Sequence, residues 1–287
     1  MSRLADLAKL VRAPAALSVP GDTVAGAAAA GCLGGRTVAL AGGSVCLYWA
    51  GMALNDWADR DIDALERPDR PIPSGRVSAP AALAVATALT AAGIGVAALA
   101  GGRRSVAVAV PLAVAVWSYD LHWKNTTWGP VSMAACRGLD VLLGAAPGRL
   151  LRAVPDALLV AGHTVTVTAL SRHEITGATA ALPRATLAAT GAITATAGSL
   201  ASSARQPAQA LSTAFAGGYA AGYGRPQARA VANPDAGTIR RAVGAGITTL
   251  PMLQASLASR HGATLPALAI AALGPLGRRL ARWVSPT

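Results

Sequence analysis

Residues 36–63 read RTVALAGGSVCLYWAGMALNDWADRDID, an apolar run that passes without a break into an acidic segment. A helix needs about 20 mostly apolar residues to cross the hydrocarbon core of a bilayer. Residues 36–54 meet that requirement. Working outward, comparable runs recur at 14–34, 79–101, 104–121, 128–148, 153–171, 182–203, 207–222, 240–259 and 262–283, separated by polar breaks. The last two are less regular, because Arg240 and Arg241 sit at one end and Arg260 and His261 lie between them. The pattern predicts an all-α, polytopic transmembrane helix bundle of nine or ten spans.

Composition agrees. The 287 residues are 53% hydrophobic and only 13% charged, where a soluble domain carries about 25%. Phe215 is the single phenylalanine, so the apolar bulk is Ala, Val, Leu and Gly, small residues that let helices approach closely in lipid. The net charge of +12 is dispersed over the loops and forms no aromatic-interleaved patch, which argues against a nucleic-acid partner. Cys32, Cys46 and Cys136 lie far apart in apolar stretches and suggest neither a disulfide framework nor a zinc site. Residues 1–11 are charged and short of apolar length, so no cleavable signal peptide is expected.

Lys and Arg set the orientation. One set of alternating loops holds Arg3, Lys9, Arg12, Arg60, Arg67, Arg70, Arg76, Lys124, Arg172, Arg184, Arg225, Arg229, Arg240 and Arg241. The opposite set holds Arg36, Arg103, Arg104, Arg149, Arg152 and Arg205. By the positive-inside rule the richer side and the N-terminus face the cytoplasm of a plasma-membrane protein. The longer polar segments, 55–78 and 223–239, fall on that side together with 121–127 and 172–181.

Asn55, Asp56, Asp59, Asp61 and Asp63 follow the second run directly. Positions 56, 59 and 63 are three and four apart, so on a helix their carboxylates share one face and repel. A divalent cation would turn that repulsion into coordination, and Mg²⁺ takes hard oxygen ligands while sharing its shell with phosphates and water. A solvated helix end is the alternative. Asp61 points elsewhere and suits a pair with Arg60 or Arg67. Pro68, Pro71 and Pro73 then exclude a helix and fix a turn. Its Arg67 and Arg70 either hold the outer oxygens of a diphosphate or neutralise the acids and anchor to headgroups.

These residues resemble a known signature. Asn55-Asp56-x-x-Asp59-x-x-x-Asp63, followed by Arg67-Pro68-x-Arg70-Pro71-x-Pro73-Ser74-Gly75-Arg76-x-Ser78, is similar to the first motif of the UbiA-type intramembrane prenyltransferases. Tyr119-x-x-x-x-Lys124 is similar to the Tyr and Lys of that family's fourth span. The segments 136–145 and 170–177 resemble its EboC-like branch in particular. The resemblance implies a single transmembrane domain over 1–287, a ring of nine helices around a central cavity, and cytoplasmic cap loops. It implies Mg²⁺-dependent transfer of a prenyl group from an isoprenyl diphosphate to a small, usually aromatic acceptor within membrane lipid. Asn55, Asp56, Asp59 and Asp63 would hold metal and diphosphate, with Lys124 and Tyr119 at the diphosphate. The family's second aspartate-rich motif is missing: residues 171–178 read SRHEITGA, with Glu174 as the one acid. Either Glu174 serves a second Mg²⁺, or that ion is lost and Arg172 or His173 takes over.

Asp140, inside the fifth run, is expected to contact the acceptor or act as base, or else to pair with Arg137 one turn earlier. Asp22 and His163 are weaker candidates, His163 suiting a buried hydrogen bond. A terpene cyclase of the same type, or a degenerate family member that binds or moves a lipid or pigment precursor, are the competing functions. A transporter would show internal repeats, and none is evident.

Overall fold

The computed structural model describes residues 3–199 and 206–284, so Arg205 lies outside the described residues. Every regular element among them is helical: α1 (Arg3–Leu10), α2 (Pro20–Ala30), α3 (Gly35–Ala58), α4 (Arg60–Glu66), α5 (Ala79–Ser118), α6 (Gly129–Ala145), α7 (Val154–Ser171), α8 (Ala181–Ser199), α9 (Gln206–Tyr219), α10 (Arg225–Ala232), α11 (Ala236–Arg260) and α12 (Thr264–Val284). By length and composition, three stretches of these are apolar enough to cross a membrane: Gly35–Ala58, Ala79–Trp123 and Leu150–Ser171.

α5 is two helices rather than one long rod. Gly102 has φ 63° and ψ −154°, a conformation closed to residues with a Cβ, and the chain folds back there. Trp117 Nε1 on the second arm therefore donates to Thr90 Oγ1 on the first, at 3.0 Å. This matches the separate runs expected at 79–101 and 104–121. The first expected run, 14–34, is instead interrupted. Residues 13–18 form a 3-10 turn and α2 begins at Pro20, because prolines 14 and 20 cannot donate to a continuous ladder.

Small residues set the packing. A Cβ at Gly26 would lie 1.8 Å from the Val141 carbonyl oxygen, and one at Gly144 would lie 1.9 Å from that of Thr23. α2 and α6 therefore meet backbone to backbone. Further round, α3 packs along α5, and α6 along both α5 and α7.

The loops sort to two ends. At one end Arg76 meets Asp6 at 3.3 Å and Arg12 meets Asp56 at 2.9 Å. There also Lys124 meets Asp59, Arg172 donates to the Thr126 carbonyl, Arg240 to the Glu174 carbonyl, and Ala178 N to the Pro234 carbonyl. At the other end Arg149 N donates to the Ala30 carbonyl, and Arg260 and His261 both reach Asp156. The segments 55–78, 121–127, 172–181 and 223–239 thus share the first end, as the alternation of apolar runs requires.

Candidate functional site

The acidic motif sits where α3 gives way to α4. Asp59 caps α3 at φ −89°, ψ 1°, so the helix breaks in the middle of the motif. The break barely shifts the register: Asp59 N still donates to the Asn55 carbonyl at 3.0 Å and Asp63 N to the Asp59 carbonyl at 2.8 Å. Asp56 and Asp63 consequently converge on one guanidinium. Arg70 Nη1 lies 3.3 Å from Asp56 Oδ1 and also bonds Asp63 Oδ2. The two carboxylates are only 4% and 2% exposed, and charges so withdrawn from water persist only when paired. Arg12 donates to Asp56 at 2.9 Å, and Arg67 lies 3.7 Å from Asp63.

Asp59 turns away from this pair. Its Oδ1 lies 2.6 Å from Lys124 Nζ, which joins the motif to the end of α5. There a short π-helical turn, residues 119–123, carries Tyr119 and Asp120. Asn55 Nδ2 donates to Asp120 Oδ1 at 3.1 Å. Asn55, Asp56, Asp59, Asp63, Arg67, Arg70 and Lys124 are therefore brought together, and Tyr119 borders the same space. Asp61 pairs with Arg60 in the open at 3.6 Å, away from the others.

Two members were missed. Arg12 had served only as a marker of the basic side, yet it adopts a left-handed conformation (φ 47°, ψ 50°) as it reaches Asp56. Such a conformation is costly for a non-glycine residue and clusters at functional sites. Asp120 carried a usable signal, a carboxylate at the end of an apolar run beside Tyr119.

Behind the motif lies an apolar cavity lined by Val19 just ahead of α2, by α3, by the second arm of α5 with the turn after it, and by α6. Leu47, Tyr48, Gly51, Met52, Leu112, Val116, Met133 and Cys136 line its sides. Tyr119 and Asp120 stand at the motif end, and Ser44, Arg137 and Asp140 at the other.

Asp140 is thus not beside the motif. Ser44, its hydrogen-bond partner, and Asn55, the partner of Asp120, are eleven residues apart on α3. That separation is about 16 Å along a helix. The expected Asp140–Arg137 pair is replaced as well. Arg137 reaches across to Asp22 Oδ2 at 2.8 Å, and Gln254 Nε2 bonds Asp22 Oδ1 at 2.6 Å. His163 makes a buried hydrogen bond with Tyr219 Oη at 2.9 Å.

The turn in the place of the second motif is tied in from two sides. Arg172 bonds the Thr126 carbonyl, two residues beyond Lys124, and Arg240 donates to the Glu174 carbonyl at 3.1 Å. Glu174 faces Arg240 rather than the motif carboxylates. Partial burial pushes its carboxyl above the usual range, with Arg240 opposing. His173 Nδ1 approaches the Gly177 carbonyl at 3.2 Å, closing the turn on itself. Among the described residues no three His, Cys, Asp or Glu side chains come close enough to hold a metal ion unaided.

An acidic pair clamped by arginines thus lies beside one end of an apolar cavity inside a helical bundle. The profile of the UbiA prenyltransferase family matches residues 19–173, more than half of the chain, and the chain belongs to that family. Digeranylgeranylglyceryl phosphate synthase of Methanopyrus kandleri is 40% identical over 100 residues, covering 34% of this chain and 36% of that protein. The bacteriochlorophyll synthase 33 kDa chain of Cereibacter sphaeroides is 36% identical over 112 residues, 37% of this chain and 36% of its own. The matched stretch thus spans about a third of the length of these relatives. The fold is also that of a UbiA homologue from Archaeoglobus fulgidus, solved bound to GPP and Mg²⁺. That structure superposes with a TM-score of 0.64 at 12% identity, covering 93% of this chain and 99% of its own.

Proposed function

We propose that this chain, as one transmembrane unit, transfers a prenyl group from an isoprenyl diphosphate to a small aromatic acceptor within the membrane, using Mg²⁺. The observation that carries this is the meeting of Asp56 and Asp63 on Arg70, with Arg12, flanked by the Asp59–Lys124 and Asn55–Asp120 contacts, beside one end of an apolar cavity. The relatives named above and the GPP and Mg²⁺ bound by the archaeal homologue support it.

The donor set suits Mg²⁺: four carboxylates and an amide oxygen are all hard ligands, and phosphate oxygens complete such shells. Asn55, Asp56, Asp59 and Asp63 would hold the ion, with Asp120 as a further oxygen ligand. Mg²⁺, when bound, offsets charge on the diphosphate oxygens. Arg12, Arg67, Arg70 and Lys124 now neutralise the carboxylates; released from them, they are placed to grip the diphosphate as its charge grows. Tyr119 borders the diphosphate end, and Arg172 extends the basic rim past Thr126. The cavity walls exclude water from the allylic cation, leaving the acceptor as its nucleophile. Glu174 lies beside Arg240, outside the carboxylate group. The motif end faces the cytoplasm by its excess of Lys and Arg, and the segments 136–145 and 170–177 support a place near the EboC-like branch.

The test is product formation. Purified protein with Mg²⁺, geranyl or farnesyl diphosphate and a panel of phenolic acceptors or membrane lipid extract should yield a prenylated product by mass spectrometry. Release of diphosphate with a cyclised hydrocarbon instead would identify a terpene cyclase. Tight binding without turnover would identify a carrier.

A further inference from the structure

The end of the cavity away from the motif carries a polar cluster that the diphosphate site does not use. Ser44 donates to Asp140 Oδ1, and Asp140 lies against Asp22. Ser44 and Asp140 are only 2% and 5% exposed, yet both line the cavity wall. Asp22 is fully buried behind them. One of its oxygens lies 2.8 Å from Arg137 Nη2, and the other accepts from Gln254 Nε2 at 2.6 Å. The same Nη2 also donates to the Ser18 carbonyl at 3.2 Å. Arg137 lines the cavity too, and a guanidinium alone would invite a carboxylate. The count of charges decides against that. Arg137 faces two carboxyls, and Asp22 alone cancels it. With Asp140 protonated the cluster is neutral, and with Asp140 ionised it carries one negative charge. In neither state is positive charge left over.

We infer that this end of the cavity receives the acceptor by a neutral hydroxyl, held by Asp140 and Ser44, and refuses a carboxylated ring. This rests on the prenyltransferase reading and adds to it the chemical class of the acceptor. A carboxyl oxygen has two lone-pair sites, so Asp140 Oδ1 can take a second O–H beside that of Ser44 in either protonation state. The Ser44 oxygen, which donates its own hydrogen, is still free to accept. A phenol supplies the O–H and leaves its ring to the apolar walls, Leu47 and Leu112 among them. A ring carboxylate in the same place would set another negative charge against Asp140 and find no cation that Asp22 has not already taken. Turned round, it would lie among apolar side chains without a partner. Both arrangements are costly, whereas the hydroxyl meets a ready acceptor.

The experiment is ligand-observed NMR titration of the purified full chain in detergent at neutral pH, against a detergent blank. Three probes of one ring size are used: 4-methylphenol, 4-methylanisole and 4-methylbenzoate. The phenol should bind about threefold to tenfold more tightly than the anisole, the value of one hydrogen bond. It should bind at least about tenfold more tightly than the benzoate, which like charge excludes. Asp140→Leu should bring the phenol down to the affinity of the anisole. Asp140→Asn, which keeps a carbonyl oxygen for the O–H, should hold the phenol within about threefold while narrowing its lead over the benzoate. Equal binding of phenol and anisole to the unaltered protein overturns the inference, as does a benzoate that binds as well as the phenol or a phenol that binds no better than to the blank. Geranyl thiolodiphosphate, titrated with Mg²⁺ into the same preparations, separates the two levels. Its binding shows that each variant folds and leaves the prenyltransferase reading standing whatever the rings do, and its failure to bind the unaltered protein refutes that reading itself.

Discussion

Replacing Arg70 by methionine removes one guanidinium from two buried carboxylates at once. Breaking a buried ion pair from one side costs about 3–5 kcal/mol, because the remaining charge is left without compensation. Asp56 would keep Arg12 at 2.9 Å, but Asp63 would keep only Arg67 at 3.7 Å, on a side chain 57% exposed. Such exposed pairs are worth at most about 1 kcal/mol. The loss should therefore fall mainly on Asp63 and amount to about 2–3 kcal/mol, just under the range for an unrelieved buried charge. Mg²⁺ should reverse it. An ion that binds only the folded state contributes about 2.7 kcal/mol at a hundredfold excess over its dissociation constant. It binds more tightly once Arg70 no longer competes for the same oxygens. The assay is thermal unfolding in detergent followed by tryptophan fluorescence, in EDTA and in millimolar Mg²⁺. Arg70→Met should melt lower than the unaltered protein in EDTA and recover most of the difference with Mg²⁺. Arg60→Met, which loses the exposed contact with Asp61, a hydrogen bond to the Trp57 carbonyl and a cation–π contact with the Trp57 ring, but no pair with Asp56 or Asp63, should melt less far below the unaltered protein and gain nothing extra from Mg²⁺. Equal melting of the two variants, or an equal Mg²⁺ effect on Arg70→Met and the unaltered protein, would refute the reasoning.

Lys124→Met should weaken binding of a prenyl diphosphate about tenfold to a hundredfold, the value of one charge-assisted hydrogen bond, with Lys124→Arg intermediate; titration of the donor measures it. Gly144→Ala should separate α2 from α6 and cost about 1–3 kcal/mol through overpacking, seen as a lowered melting temperature, while Gly95→Ala, whose Cβ meets nothing within 4 Å, should be tolerated. Asp22→Ala leaves Arg137 buried without its partner and should cost about 3–5 kcal/mol; Asp22→Leu combined with Arg137→Met should recover much of that loss in the same assay.

The sequence made the bundle legible because lipid imposes one rule on every span, enough apolar length to satisfy the backbone internally. The two arms of α5 followed from the separate runs at 79–101 and 104–121, and the approach of Asp56 to Asp63 from their spacing, whereas Asp59 leaves the shared face because the helix breaks there. Partners were harder to read. Arg137 lies one turn from Asp140 in sequence, yet it pairs with Asp22, because α2 comes into backbone contact with α6 through Gly26 and Gly144. Local spacing offers a pair, and tertiary approach decides it. Arg12 and Asp120 went unassigned for a similar reason: they are separated from Asp56 and Asn55 by 44 and 65 positions, and only the folded bundle places them together. Asp140 is buried, as its place inside the fifth run suggests, but its depth along the cavity axis is not encoded in any local pattern.

The central claim is that the motif carboxylates bind a prenyl diphosphate through Mg²⁺. It is tested most directly by equilibrium binding of geranyl diphosphate to the purified protein, with Mg²⁺ and with EDTA, for the unaltered chain and for Asp56→Ala and Asp59→Ala. Binding should require Mg²⁺ and be lost in both variants while their helical content is retained. Binding that persists in EDTA, or survives both substitutions, would contradict it.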